Sequence, residues 1–499
     1  MFNVIDSYAL SPMQQGMLFH AVSEKQTGVD IEQIVMTLQG HCDVEQFMRA
    51  WQAVIQRHTI LRTQFRWEDV PEPRQEVVAD VELPLIRADW GELAAAEREE
   101  HCIAHLAADR RRDLDLSRAP LMRLFIADMG ANQYRIVWTF HHALLDGRSF
   151  PNVLREVFSL YESALGGAAT QLPPASPYRE HIDWLQSLDH AESEAHWRTT
   201  LRGFHAPTPF GVDASRIEAA NATVTGAPFG AKQRRLSADV TSQLREFAQS
   251  AGVTVNTLLQ AAWGLLLQRY SGQSDIIFGA TRAGRKAGGG DNESRVGLFI
   301  NTLPVRVRVD GDLEMIPWLQ QLRAQQTGLR AFEHTPLSVV QSWSEVPRGT
   351  PLFESLVVYE HSTLNSQLRS AGGTWLDRHF EYLGQTNFPL TLVAYGDDEM
   401  LLRLEYSRQR FADAAIERMM GHLTVLLAGL AKGEATRLKD LELLTPAERE
   451  QLMGSSSAAR QYAPGPTLHE RFEQQVARSP QAIALSGFTA DEARFEMSY

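Results

Sequence analysis

The chain has 499 residues, 44% of them hydrophobic and 22% charged, an ordinary globular composition with room for two or three domains. Its net charge of −13 argues against nucleic-acid binding as a main role, and two cysteines, Cys42 and Cys102, exclude a disulfide scaffold and fit a reducing cytoplasm. There is no C-x-x-C or H-E-x-x-H spacing, no signal peptide and no apolar run of about 18 residues, so neither a metal site nor a membrane span is expected.

In chain order, Ser11-Pro12-Met13-Gln14 reads as a capped helix start, with Ser11 as cap, Pro12 in the first turn and Gln14 at the capping-box position. Residues 31–38 read as a strand. Asp43 caps a helix with Phe47, Trp51, Val54 and Ile55 facing inward, ending at Arg57-His58-Thr59-Ile60-Leu61-Arg62-Thr63-Gln64-Phe65. Residues 121–127 and 133–140 form a strand pair about a turn at 129–132. In the second strand Tyr134, Ile136, Trp138 and Phe140 share one face.

The connection that follows is Phe140-His141-His142-Ala143-Leu144-Leu145-Asp146-Gly147-Arg148-Ser149. After it, Val153, Leu154, Val157, Phe158 and Tyr161 recur at helical spacing, with Ser149 as the expected cap. Adjacent histidines on extended backbone point to opposite sides, so one faces a cavity while the other faces the protein. Histidine exchanges a proton near neutral pH, an ionised Asp146 accepts from a buried cation or orients a neighbour, and Gly147 permits a turn or close approach. Two satisfied structural histidines at a strand end fit the same spacing.

Residues 171–177 break the chain, and the division between two lobes is placed there. Residues 178–185 and 257–270 read as helices, the second closed by Gly272; 275–281 and 299–309 read as strands, the latter with Asn301 as its odd polar member. The glycine-rich stretch 282–290 lacks a phosphate-loop pattern and fits a mobile loop. Strands at 355–359, 388–394 and 400–406 precede a long helix at 411–431. Residues 454–466 read as a linker and 468–480 as a helix; 486–499 fit no pattern.

His141-His142-Ala-Leu-Leu-Asp146-Gly147 resembles the HHxxxDG signature of nonribosomal peptide synthetase condensation domains, members of the chloramphenicol-acetyltransferase-like superfamily. The Ser11–Gln14 opening, the Arg57–Phe65 run, residues 178–185, Val296-Gly297-Leu298-Phe299-Ile300-Asn301-Thr302-Leu303-Pro304, and the segments at 333–337 and 348–354 resemble that family's other motifs, in order. The 296–304 sequence distinguishes it from epimerisation domains. The resemblance implies an α/β fold: two chloramphenicol-acetyltransferase-like lobes in a V-shaped pseudo-dimer, mixed sheets with flanking helices, residues 1–175 and 176–445. Residues 446–499 would be a linker and the start of an adenylation domain, and a start at Met1 fits a donor delivered from another polypeptide.

The implied reaction is amide formation between a carrier-bound donor thioester and the α-amine of a carrier-bound acceptor. The opening motif resembles the subtype taking D-configured donors. No cofactor is bound by the domain itself; phosphopantetheine arms come from donor and acceptor carrier proteins. The expected setting is a cytoplasmic monomer beside an adenylation domain, with neither nucleic acid nor membrane. The resemblance implies His142 nearest the reaction, His141 and Asp146 holding the loop, Gly147 offering its N–H to the oxyanion, and Arg148, Ser149 and Asn301 along the substrate channel. It also implies a structural Asp146–Arg285 pair between the halves. Where this chain has Arg148 the family commonly has tryptophan. A condensation-like domain that dehydrates its substrate, a non-catalytic recruitment domain and a free-standing acyltransferase using coenzyme A thioesters are the competing readings; intact His142 and Asp146 argue against the second, the adenylation-like tail against the third.

Overall fold

The sheet of the first half is organised by two strands whose side chains alternate between a face of large apolar groups and a more mixed face. In the computed structural model, which describes residues 3–23, 25–167, 170–213, 228–285, 294–369, 377–456, 465–488 and 494–499, Ile31–Gln39 pairs antiparallel with Gln133–His141, setting Ile34 opposite Trp138 and Met36 opposite Ile136. Met122–Asp128 follows antiparallel, then Leu85–Asp89 parallel to it. On one face lie the helices Val44–Arg57 and Ser149–Ala164, where the Trp51 and Trp138 rings meet at 4.8 Å and Phe47 stands edge-on to Tyr161. The opposite face, with Val35, Phe125, Ala127 and Val137, forms a smaller cluster with Leu106 of the helix Ala95–Arg111.

The outer strand of this sheet comes from the second half. Asp377–Leu383 pairs antiparallel with Ile31–Gln39, placing Phe380 opposite Met36. No periodicity announces it. The helix Arg179–Gln186, with Tyr178 and Ile182, and the segment carrying Val296, Leu298 and Phe299 also pack into the first half's core. The second half therefore contributes elements to the first half's sheet and core across the break at 171–177.

The second sheet runs in the order Asn301–Arg308, Asp275–Arg282, Ser355–Glu360, Leu390–Tyr395, Leu401–Ser407, Phe229–Arg235. Ser355–Glu360 is parallel to both neighbours and the other pairings are antiparallel. The helices Val255–Ser271 and Asp413–Lys432 pack in its core, the first ended by Gly272 at φ +70°, a left-handed conformation suited to glycine. Asp413–Lys432 is long and apolar enough to cross a membrane, but Met419, Leu423, Leu426, Leu427 and Leu430 are buried in this core.

Residues 444–499 form a separate compact unit. It holds the helix Leu468–Arg478, begun by a Thr467–Glu470 capping box, and an antiparallel hairpin of Ile483–Phe488 with Arg494–Ser498. That hairpin occupies the stretch where the sequence shows no pattern. Of the mobile-loop expectation at 282–290, residues 286–290 lie outside the described residues, as do 457–464 of the linker expectation at 454–466, whose first residues end the helix Pro446–Ser456.

The opening motif supports the central connection directly. Ser11 N–H donates to Gln14 Oε1 at 2.8 Å and Gln14 N–H to Ser11 Oγ at 3.2 Å. Gln14 Nε2 then reaches Ala143 O at 3.0 Å, while Gln75 Nε2 donates to Gln14 Oε1 at 2.9 Å. Gln14→Leu leaves these buried groups unsatisfied and is expected to lower stability by about 1–3 kcal/mol. Urea unfolding of the variant measures this, and an unchanged midpoint would contradict the support.

Candidate active site

The Gln133–His141 strand delivers two histidines to the edge of a cavity, and backbone hydrogen bonds hold both. His141 N–H donates to Leu121 O at 3.0 Å and His142 N–H to Asp30 O at 2.8 Å. Their side chains part. His141 is buried, and its Nδ1 accepts the Ala143 N–H at 3.1 Å. Burial pulls its pKa down to about 4, against a partial lift from Asp30, so the ring is neutral and acts as an acceptor. His142 lines the cavity. Its Nδ1 is 2.8 Å from Leu145 O. A carbonyl only accepts, so Nδ1 carries the hydrogen and Nε2 keeps its lone pair. Burial lowers the basicity of His142, but the Glu32 and Asp30 carboxylates and the backbone hydrogen bond to Leu145 O oppose it, and the net shift is upward.

Asp146 turns away from this cavity into the joint between the halves. Its Oδ1 receives Arg285 Nη2 at 2.6 Å, both side chains being 1% exposed. The same oxygen accepts the N–H groups of Arg148 and Ser149, and Oδ2 accepts Phe299 N–H at 3.0 Å. Asp146 N–H donates to Gly297 O, and Arg285 Nη1 to Arg295 O. The Arg285 guanidinium also lies 4.5 Å from the centre of the Phe299 ring. The carboxylate and the cation are thus hydrogen-bonded as well as paired, the condition under which a buried pair is tolerated.

Ser149 differs from expectation in two respects. Arg148 occupies the cap position of Ser149–Ala164, and the Asp146 carboxylate receives the first free N–H groups instead. Ser149 is fully buried and lines neither described cavity. Its Oγ lies 2.6 Å from Gly297 O, 2.7 Å from Arg285 Nη2 and 3.0 Å from Gly297 N. A hydroxyl both donates and accepts, and the joint uses both capacities, leaving it away from the channel.

The cavity beside His142 has a volume of about 1200 Å³ and is walled by both halves. Met17, Gly147 and Phe150 line one side; Thr302, Tyr359 and Glu360 line the other. Sequence reasoning misses Glu360, which there only closes an apolar strand run. Burial, with Asp146 adding to it and Arg148 and Arg285 opposing it, pushes its carboxyl up to about 7. A Cβ at Gly147 would stand 2.8 Å from Glu360 Oε1, so a larger residue there must displace that carboxyl. Arg148 is exposed at the start of its helix. Asn301 lines a smaller pocket with His181, Trp184 and His334, and its Nδ2 is taken by Glu333 O at 2.9 Å and Thr335 O at 2.7 Å.

The condensation-domain family model matches residues 4–453. A linear gramicidin synthase of Brevibacillus parabrevis is 39% identical over 96% of this chain and 10% of its own length. Bacitracin synthase 3 of Bacillus licheniformis is 32% identical over 96% of this chain and 8% of its own. The chain therefore spans about a tenth or less of the length of these two relatives. Among solved structures, a four-domain nonribosomal peptide synthetase bound to AMP and glycine is similar with a TM-score of 0.74 and 19% identity, over 90% of this chain and 35% of that one. The X-domain in complex with OxyB from teicoplanin biosynthesis gives 0.73 and 22%, over 88% and 96%. At those identities the likeness is one of fold, the chloramphenicol-acetyltransferase-like arrangement of mixed sheets and flanking helices. By sequence and fold together, the chain belongs to the condensation-domain family of nonribosomal peptide synthetases.

Proposed function

We propose that this domain joins a carrier-bound donor acyl or peptidyl thioester to the α-amine of a carrier-bound acceptor aminoacyl thioester. The observation that carries the reading is His142: a histidine with its hydrogen committed to Leu145 O, so that Nε2 is the proton acceptor, in a large cavity walled by both halves. The acceptor nitrogen attacks the thioester carbonyl. A C–N bond forms, the C–S bond breaks, the amine proton passes to Nε2, and the departing thiolate takes up a proton. Both substrates arrive on phosphopantetheine arms of carrier proteins, and holding them together is worth about 7–11 kcal/mol where the geometry is right.

In this reading His141 and Asp146 hold the loop, Gly147 directs its N–H to the developing oxyanion, and Arg148 gates the acceptor side or meets a carboxylate-bearing substrate. Asn301 borders the channel through the smaller pocket. Residues 1–175 and 176–445 act as the two lobes, with 446–499 leading into an adenylation domain, in a cytoplasmic monomer. The Ser11–His20 opening supports the subtype with D-configured donors. The many bonds converging on Asp146 favour an active domain over a recruiting one, since they keep the His142 loop in one conformation.

The direct test mixes loaded donor and acceptor carrier proteins with this chain and follows dipeptidyl thioester by mass spectrometry. Product is expected, and His142→Ala is expected to form it about 10²–10⁴-fold more slowly, the range for a positioned proton acceptor. Undiminished product from that variant would remove the assignment.

The Asp146–Arg285 pair is tested by stability. Asp146→Ala and Arg285→Ala each leave a buried charge without its partner, at a cost of about 3–5 kcal/mol. The double variant is expected to lose less than the sum of the two. Denaturant titrations of all four proteins close the cycle, and strictly additive losses would refute a structural pair.

A further inference from the structure

The strand Ile31–Gln39 carries a carboxylate on its core face, among Ile34, Met36 and Leu38. Glu32 lies opposite Phe140 in the antiparallel register, and His142 comes two residues later on the same face. Glu32 and His142 are therefore diagonal cross-strand neighbours, within reach of long side chains. On the other side, the strand Asp377–Leu383 pairs Leu383 with Gln33, which brings Gly384 level with Glu32. A Cβ at Gly384 would stand 2.5 Å from Glu32 Oε2 and 2.5 Å from the Tyr382 hydroxyl. The glycine leaves the space that the carboxylate occupies.

Glu32 is 1% exposed, lines the same cavity as His142, and has no hydrogen-bond partner of good geometry for Oε2 among the described residues. A buried carboxylate is costly unless a nearby charge stabilises it. No step of the reaction above uses it. We propose that Glu32 is a positioning residue that acts through His142, holding the imidazole against the cavity wall and stabilising the imidazolium formed when Nε2 takes the amine proton. The proton moves from the acceptor nitrogen to Nε2 and on to the departing thiolate; Glu32 neither gains nor loses one.

The surrounding groups are consistent with this role. Burial lowers His142, and Glu32 is the largest influence opposing it, ahead of Asp30. The relation is mutual: burial raises the Glu32 carboxyl and prevails, and His142 is the largest influence opposing it, followed by a hydrogen bond with the Tyr382 hydroxyl. Asp30, just before the strand, lies 3.6 Å from His20. His141, beside His142, is neutral. Arg110 approaches Glu32 from the helix Ala95–Arg111, but its Nη1 and Nη2 are bound to Ile31 O and Leu383 O at 2.7 Å each. From Leu401–Ser407, Arg403 and Glu405 face the same region and pair with each other at 2.9 Å. Glu360 enters the cavity from the other wall.

The inference rests on the condensation reading, and its first readout requires no substrate. The Cε1–H resonance of His142, assigned by its loss in His142→Gln, is titrated by NMR in the whole chain. In the wild type its midpoint is expected above about 6.5, the ordinary histidine value. In Glu32→Gln it is expected to fall by about one pH unit or more, the scale on which an adjacent opposite charge acts, and Glu32→Asp to restore part of it. Asp30→Asn is expected to move it less. In the carrier-protein assay the rising acid limb of the rate should shift to lower pH in Glu32→Gln, with a lower plateau. An unmoved midpoint in both Glu32 variants overturns the proposal, as does lost product with an unmoved midpoint, which would make Glu32 a substrate contact. A midpoint that moves in a chain forming no peptide supports the hold of Glu32 on His142 and overturns the condensation reading alone.

Discussion

Everything at this site depends on one buried carboxylate. Asp146 sits where the strand of the paired histidines turns into a helix, and it collects an arginine from the second half, three backbone N–H groups and a hydroxyl. Desolvating a carboxylate and a guanidinium is expensive, and attraction between them compensates only when the remaining lone pairs and protons are also satisfied. Here Asp146 Oδ2 is met by Phe299 N–H, Arg285 Nη1 by Arg295 O, and both Asp146 Oδ1 and Arg285 Nη2 by Ser149. The joint is therefore specific. A register slip of either segment would leave charge buried with partial partners. The loop between His142 and Gly147 is fixed at its far end by that requirement and at its near end by Asp30 O.

This explains which parts can be read in the chain and which cannot. The capping box of Ser11 and Gln14, the Asp43 cap, the alternation through Trp138 and Phe140 and the Gly272 stop are local, and local sequence determines them. Ser149 reads as a cap because a hydroxyl beside a helix start resembles one, whereas a carboxylate three residues earlier outcompetes it. The strand Asp377–Leu383 has no local signature, since its partner lies more than 300 residues away and supplies the burial that makes it a strand. Glu32 and Glu360 escape notice for a related reason. Each is a charged residue within or ending an apolar strand pattern, and only the fold shows that the face it occupies borders a cavity instead of a closed core.

The two histidines compare environments with the side chain held constant. His141 is buried and His142 half-buried at the cavity wall, and burial alone would depress both. His141 has its Nδ1 committed as an acceptor to Ala143 N–H and feels Asp30 only weakly against burial, so it is pushed down to about 4. His142 has its Nδ1 committed as a donor to Leu145 O and faces Glu32 and Asp30, so it is raised. One rotation of the backbone between adjacent residues separates a ring that cannot take a proton near neutrality from one that can. The difference does not come from the HHxxxDG motif alone; Glu32, which the neighbouring strand brings to the same face, is the largest influence raising His142.

A raised histidine is suited to an amine nucleophile for a definite reason. An α-amine has a pKa of roughly 8, so near neutral pH a fraction is already free, and the demand for a base comes later, when the nitrogen becomes positively charged on attacking the carbonyl. In the proposed reaction that nitrogen is more acidic than the free ammonium, so the proton transfer is downhill and depends on the stability of the imidazolium in the cavity. A histidine standing alone there would resist protonation, as His141 does. Stabilising the charged ring by a fixed carboxylate, with no reorganisation of solvent, is how a buried site accepts a proton without opening to water. The same carboxylate would be a liability in a closed core, and the space left by Gly384 shows that the fold accommodates it at the cavity wall.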